Sequence, residues 1–234
     1  MIAVARTHQG NIRLNNQDSL LLREEATCLY AVADGMGGHR GGNVASAMAV
    51  GALQAIELSL QPKEALLQEA VNAANTSIWE RQLQDVSLSG MGTTLTALWE
   101  GEEQLLIAHV GDSRAYHYIN GQLFQVTTDH SLVGELLRSG AINAEQARNY
   151  PYRNIVTRAV GTDATLQTDF YRLEKMKGSK FLLCSDGLTE YATTEQLIHA
   201  FTQPLEVAAD YLLQLALAGG GRDNITLILL EVPA

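Results

Sequence analysis

The chain has 234 residues, 46% of them hydrophobic, with 4 prolines, which suffices for one large core and shows no linker. Its 26 acids against 16 lysines and arginines give a formal charge of −10, which argues against a broad nucleic-acid surface and against docking on anionic lipid. The opening MIAVARTHQGN is too short an apolar run for a secretory signal and no segment reaches the ~18 apolar residues of a membrane span, so a soluble, cytoplasmic chain is expected.

In chain order, Ile2 to Thr7 reads as a strand, followed by the turn His8-Gln9-Gly10-Asn11 and a second strand around Leu20-Leu21-Leu22, with Arg13 and Asp18 between them. Leu29 to Ala33 reads as a buried strand that leaves the sheet at Asp34. The glycines at 35, 37, 38, 41 and 42 read as an open loop in which the backbone faces a ligand. Asn43 is expected to cap a helix through Ala49, Leu53 and Ile56, and a second helix is expected from about Lys63 to Gln84. Thr93 to Trp99, Gln104 to Val110, Ala115 to Ile119 and Leu123 to Val126 read as an antiparallel meander, with Asn120-Gly121 as a hairpin turn. From about 129 to 164 the pattern loosens into two short helices and irregular chain, which reads as a surface flap. Lys180 to Cys184 is a strand ending at Ser185-Asp186-Gly187. Two amphipathic helices follow over Thr194 to Thr202 and Leu205 to Leu217, then a glycine break and a last strand over Asn224 to Val232. Cys28 and Cys184 lie in apolar runs without paired spacing and read as buried thiols. Strands followed by helices, twice over, give an α+β fold: a four-layer α-β-β-α sandwich of two antiparallel sheets flanked by helix pairs.

Asp34, Asp112 and Asp186 each end an apolar strand, and Asp223 stands just before one. If two such sheets pack face to face, these termini emerge along one edge. Four carboxylates gathered there repel unless protonated or bound to cations. Oxygen ligands without histidine or thiolate favour Mg²⁺ or Mn²⁺ over zinc. A calcium EF-hand loop is excluded because DGMGGHRGG lacks the alternating acids and terminal Glu, and a P-loop is excluded because no glycine-rich segment ends in Gly-Lys-Ser/Thr.

The segments GNIRLNNQD, VADGMGGHRGG, MGTTL, AHVGDSRAY, TTDHS, LCSDGL and GGRDNITL, in this order over nearly the whole chain, closely resemble the bacterial metal-dependent Ser/Thr protein phosphatases of the type 2C class. The resemblance implies the same sandwich as a single catalytic domain over 1–234, with two or three Mn²⁺ or Mg²⁺ ions at one edge beside the flap. By this resemblance Asp34 bridges two ions, the Gly35 carbonyl binds the first, and Asp186 and Asp223 complete the second. Asp112 with Asp186 holds a third, weaker ion, and Asp18 fixes a metal-bound water. Many relatives have an acid where this chain has Gln17, so no water-mediated role carries over to that position.

The implied reaction is hydrolysis of phosphoserine or phosphothreonine in proteins by a hydroxide bridging the two ions, without a covalent enzyme intermediate. Arg13 is placed on the phosphate, where a planar guanidinium matches two oxygens, and His39 is similar to the candidate general acid for the leaving oxygen. His109, in an apolar strand, reads as a core residue, and His130 has no derived role. Ser113 lacks the surroundings of a nucleophile. Expected partners are a phosphorylated protein and an opposing Ser/Thr kinase pathway, with no nucleic acid, no membrane and a monomeric state. The alternatives are a phosphoprotein-binding module with little turnover and a phosphatase of small phosphomonoesters.

Overall fold

The computed structural model describes residues 1–234 apart from 26, 149 and 234 and the side chains at 38–40, 144 and 148. The strands are β1 (Ile2–His8), β2 (Asp18–Glu24), β3 (Cys28–Met36), β4 (Gly92–Thr93), β5 (Leu95–Glu100), β6 (Gln104–Val110), β7 (Arg114–Ile119), β8 (Gln122–Gln125), β9 (Asp169–Glu174), β10 (Lys180–Cys184) and β11 (Ile225–Glu231). The helices are α1 (Gly38–Gln54), α2 (Glu64–Gln84), α3 (Leu132–Arg138), α4 (Ala144–Arg148), α5 (Asp186–Thr189), α6 (Thr194–Phe201) and α7 (Leu205–Gly219).

One sheet has the order β1-β11-β10-β7-β8 and the other β2-β3-β5-β6-β9, with β4 paired to the end of β3; all the pairings are antiparallel. The alternation of side chains along each strand builds the four layers. On β3, Leu29, Ala31 and Ala33 face a core completed by Ala45, Ala49 and Leu53 of α1 and Leu67, Val71 and Ile78 of α2. Tyr30 and Val32 point the other way, into the layer between the sheets, against Phe181, Leu183, Ile228 and Leu230. Leu227 and Leu229 of β11 face α6 and α7 through Leu197, Phe201, Ala208 and Leu212. Central strands buried on both faces read as continuous apolar runs, which is how LYAVA and ITLILL appear in the sequence.

Some expectations need correction. Asn43 does not cap α1: the helix starts at Gly38 after Gly37 at φ 121°, so Gly35 lies in β3, Gly38, Gly41 and Gly42 lie in the opening turns of α1, and the segment is not an open loop. Tertiary contact overrides propensity there, since a Cβ on Gly42 would lie 2.6 Å from the Gly35 carbonyl oxygen. The strands from 92 to 125 are not one meander: β5-β6 and β7-β8 belong to different sheets, and the chain crosses over at the corner Gly111-Asp112-Ser113. The edge strand β9 escaped the sequence reading because DFYRLE mixes charged and apolar residues and is only partly buried. Within the span read as a surface flap, Ala159 and Val160 are buried and Gly161 is tied to α2 through Asn75 Oδ1 and Gln82 Nε2. The turn at Asn120-Gly121 is as expected, with φ of 51° and 78°.

Candidate active site

A pocket of about 440 Å³ opens where the ends of the two sheets meet, and Asp34, Asp112, Asp186 and Asp223 all line it with Arg13, Gly35 and Thr94. Each acid arrives from a different element. Asp34 lies two residues before the end of β3, which continues because Gly35 and Met36 pair with β4. Asp112 sits at the sheet-crossing corner, Asp186 opens α5 directly after β10, and Asp223 precedes β11. Asp18 begins β2 and pairs with Asp34 in the β2–β3 register.

The electrostatics of the group follow from crowding in a poorly solvated place. Burial, then the charges of Asp18, Asp186, Asp112 and Asp223, holds the Asp34 carboxyl well above the usual carboxylate range. Burial and neighbouring acids push Asp18 to about 7 and Asp112 to about 7. Asp186 rises to about 6 by burial and the charge of Asp223, moderated by a hydrogen bond with Asp34. Two side-chain oxygens here, Asp18 Oδ1 and Asp186 Oδ1, are buried with no hydrogen-bond partner. Unpartnered buried oxygens of this kind carry a desolvation cost of ~1 to 3 kcal/mol, which a hard divalent cation or its water removes. The donor set therefore fits Mg²⁺ or Mn²⁺. Among the described residues no three His, Cys, Asp or Glu side chains close on one point, and two of the acids have partners of their own. Asp223 Oδ2 is turned to Arg13 Nη2 at 2.6 Å, and Asp18 Oδ2 accepts from Ser185 Oγ at 2.9 Å.

Residues without a role assigned from the motifs hold these acids in place. Thr94, in MGTTL, accepts from the Asp34 N–H at 2.9 Å and shares a 2.7 Å hydrogen bond with Ser113 Oγ, linking the segments that carry Asp34 and Asp112. Asn224 accepts from Gln17 N–H and donates to Gln9 O and Asn15 O, locking the segment around Arg13 to the start of β11. Asn154 and Val156 bring the flap to the pocket wall. Their places in the quoted motifs were the available signal for Thr94 and Asn224; the flap residues offered none. The backbone of His39 lies in the first turn of α1, but its side chain, assigned above as the general acid, lies outside the described residues. His109 is the core residue expected: Nδ1 is 3.0 Å from Thr96 Oγ1, Nε2 is 3.1 Å from Thr128 O, and burial lowers its pKa to about 4. Cys28 and Cys184 are buried free thiols.

A two-sheet sandwich with a ring of five acids and one guanidinium at its edge has the form of a cation-dependent phosphate-ester site. The family model described as protein phosphatase 2C matches residues 6–219. The chain is 39% identical over 241 residues to the serine/threonine phosphatase stp of Listeria monocytogenes serotype 4b, covering 99% of this chain and 96% of that one. Among solved structures, the Mycobacterium tuberculosis serine/threonine phosphatase PstP/Ppp superposes with a TM-score of 0.92 at 36% identity, covering 100% of this chain and 99% of that chain. The catalytic domain of PstP in complex with 2 manganese ions gives 0.89 at 36% identity, covering 100% and 98%. The chain belongs to the protein phosphatase 2C family. Among the described residues no helix is long and apolar enough to cross a membrane.

Proposed function

We propose that this chain is a metal-dependent protein phosphatase that hydrolyses phosphoserine and phosphothreonine in proteins, with residues 1–234 acting as one catalytic domain. The observation that carries the reading is the gathering of Asp34, Asp112, Asp186 and Asp223, beside Asp18, around a pocket with Arg13 on its wall. Asp34 and the Gly35 carbonyl, with Asp186 and Asp223, are the residues to hold two Mn²⁺ or Mg²⁺ ions, and Asp112 with Asp186 a third. When bound, these ions lower the pKa of water and offset the charge of the phosphoryl group.

The chain's own residues do the rest. Arg13, more than half exposed at 53%, extends a guanidinium that stays charged at any working pH and matches two phosphate oxygens. Asp18, steadied by Ser185 Oγ, keeps Oδ1 available to accept a proton of a water beside Asp34. His39 delivers the proton to the departing serine or threonine oxygen, a contribution of ~10² to 10⁴ in rate. Its partners are phosphorylated proteins in the cytoplasm, where the enzyme opposes a Ser/Thr kinase and works as a monomer.

The test is phosphate release from a phosphothreonine peptide with Mn²⁺ and with a chelator, alongside small aryl and alkyl phosphates. Metal-dependent release favouring the peptide supports the reading. Tight peptide binding without release would make the chain a phosphoprotein-binding module. In the same assay, His39→Ala should slow phosphoserine peptide more than an activated aryl ester, and equal loss on both would remove the general-acid role.

A further inference from the structure

His130 touches none of the five acids, yet it holds the corner that carries one of them. It grips Gly111, the residue before Asp112, by both backbone groups: its own N–H donates to Gly111 O at 2.7 Å, and its ring Nδ1 accepts from Gly111 N–H at 3.0 Å. The corner has little freedom of its own, because Gly111 stands at φ 110° and a Cβ there would lie 2.6 Å from the Thr94 side chain. His130 also holds the flap. Its carbonyl accepts from Thr157 N–H at 2.8 Å, and its neighbour Ser131 bridges to Val156, which lines the pocket.

The ring orientation is fixed from both ends. Because Nδ1 accepts from a backbone N–H, the neutral ring is assigned its proton on Nε2, which lies 3.1 Å from Asp169 Oδ2 on β9 and 3.0 Å from Arg158 Nη1, while Asp169 Oδ1 accepts from the same Arg158 Nη1 at 2.8 Å. Arg158 and Thr157 lie in the segment where the flap returns to the body. The ring is 4% exposed and packs on His109 at a centroid distance of 4.9 Å, which restricts its rotation. One residue therefore joins the sheet-crossing corner, the outgoing and returning ends of the flap, and the edge strand.

We infer that His130 is a positioning residue that couples the flap to Asp112, so that flap placement and cation binding at Asp112 change together. The inference rests on Asp112 being a cation ligand. A buried histidine that merely satisfies backbone groups would affect stability alone, whereas coupling predicts selective loss at one cation site.

The experiment is Mn²⁺ titration calorimetry of the full chain, with amide hydrogen exchange followed at Gly111 and over 150–157. The proteins are wild type, Asp112→Asn, His130→Phe, His130→Gln and His130→Asn. Asn places its amide oxygen near the position of Nδ1 and keeps the Gly111 acceptor, whereas Gln reaches toward Asp169 and loses it. Asp112→Asn should abolish the weakest class of Mn²⁺ sites. His130→Phe and His130→Gln should weaken that class about tenfold or more while leaving the tighter class nearly unchanged, and His130→Asn should restore most of it. Exchange at Gly111 and in 150–157 should accelerate together in the Phe and Gln variants. A wild-type isotherm for Asp112→Asn removes the assignment of Asp112 and the coupling with it. An altered Asp112→Asn isotherm beside an unchanged weak class in folded His130→Gln overturns the coupling alone, as does equal weakening of every class.

Discussion

Arg13 Nη2 stands 2.6 Å from Asp223 Oδ2 at the pocket wall, and this hydrogen bond, with the charges of Asp223, Asp34 and Asp186, raises the guanidinium pKa further. The residue assigned to phosphate thus holds an acid assigned to a cation. An ion pair this exposed is worth ~1 kcal/mol or less, so a divalent cation takes Asp223 from Arg13 easily and the released guanidinium turns to phosphate. Arg13→Ala should raise KM for a phosphopeptide by roughly tenfold or more, the scale of a lost charge-assisted hydrogen bond. Mn²⁺ affinity measured by calorimetry should stay level or rise slightly, because Asp223 loses a competitor. A fall in Mn²⁺ affinity with KM unchanged would reverse the two assignments.

Asp186 separates function from stability. Its carboxyl contacts Asp34, faces the charge of Asp223 and keeps Oδ1 buried without a partner. Asp186→Asn supplies a neutral amide of the same shape, which donates to Asp34 and removes one charge from the crowd. In chelator the variant should be more stable than wild type by about 1 to 2 kcal/mol, or roughly 2 to 8 °C in Tm for a chain of this size. With Mn²⁺ it should lose almost all phosphatase activity. Near-normal turnover at saturating Mn²⁺, or a lower Tm in chelator, would contradict the placement.

The pH dependence has a definite sign. Asp18 and Asp112 titrate at about 7 and Asp186 at about 6 in the folded chain, against about 4 for an unfolded carboxyl. Between those values the folded state binds more protons than the unfolded state, so the contribution of these acids to stability is fullest below pH ~4 and falls as pH rises toward ~7. Cation binding requires the ionised forms and removes this penalty. Tm in chelator should therefore fall relative to Tm in Mn²⁺ as pH goes from ~5 to ~7.5, and Mn²⁺ binding near pH 6 should release protons. His109, lowered to about 4, pulls the other way in both conditions and cancels in the difference. Parallel profiles would show that the acids are not the titrating group.

How much of this was legible in the sequence depends on whether a feature is local. Asp34, Asp112, Asp186 and Asp223 were readable because each stands beside a glycine or a turn next to an apolar strand, and sandwich packing gathers strand ends. The sheet crossing at Gly111-Asp112-Ser113 was not, because two consecutive hairpins and a crossover share one pattern of apolar runs and turns. The start of α1 was missed because Gly37, Gly38, Gly41 and Gly42 signal a loop by propensity, while the close approach of Gly37 and Gly41 to Met91 and of Gly42 to Gly35 is a tertiary fact. The hold of His130 on Gly111 spans 19 residues and leaves no periodic trace.

The contact between Gly42 and Gly35 gives the last prediction, because it joins the fold to the site. A Cβ on Gly42 would lie 2.6 Å from Gly35 O and 2.9 Å from Gln17 Cδ, while a Cβ on Gly35 would lie 2.1 Å from Gly42 O. The N-terminal end of α1 therefore rests backbone against backbone on the end of β3, where the Gly35 carbonyl is assigned to a cation. Gly→Ala within a helix normally gains ~0.5 to 1 kcal/mol. At Gly42 that gain is opposed by overpacking of ~1 to 3 kcal/mol against atoms that cannot rotate away. Gly51 supplies the control, since it lies exposed in the same helix with nothing within 4 Å of its Cβ position. Urea unfolding should show Gly51→Ala stabilised and Gly42→Ala destabilised, with Mn²⁺ affinity reduced only in Gly42→Ala because α1 displaces the Gly35 carbonyl. Equal stabilisation of both variants would mean that the strand and helix are not in tight contact, and the carbonyl of Gly35 would then owe its position to something other than α1.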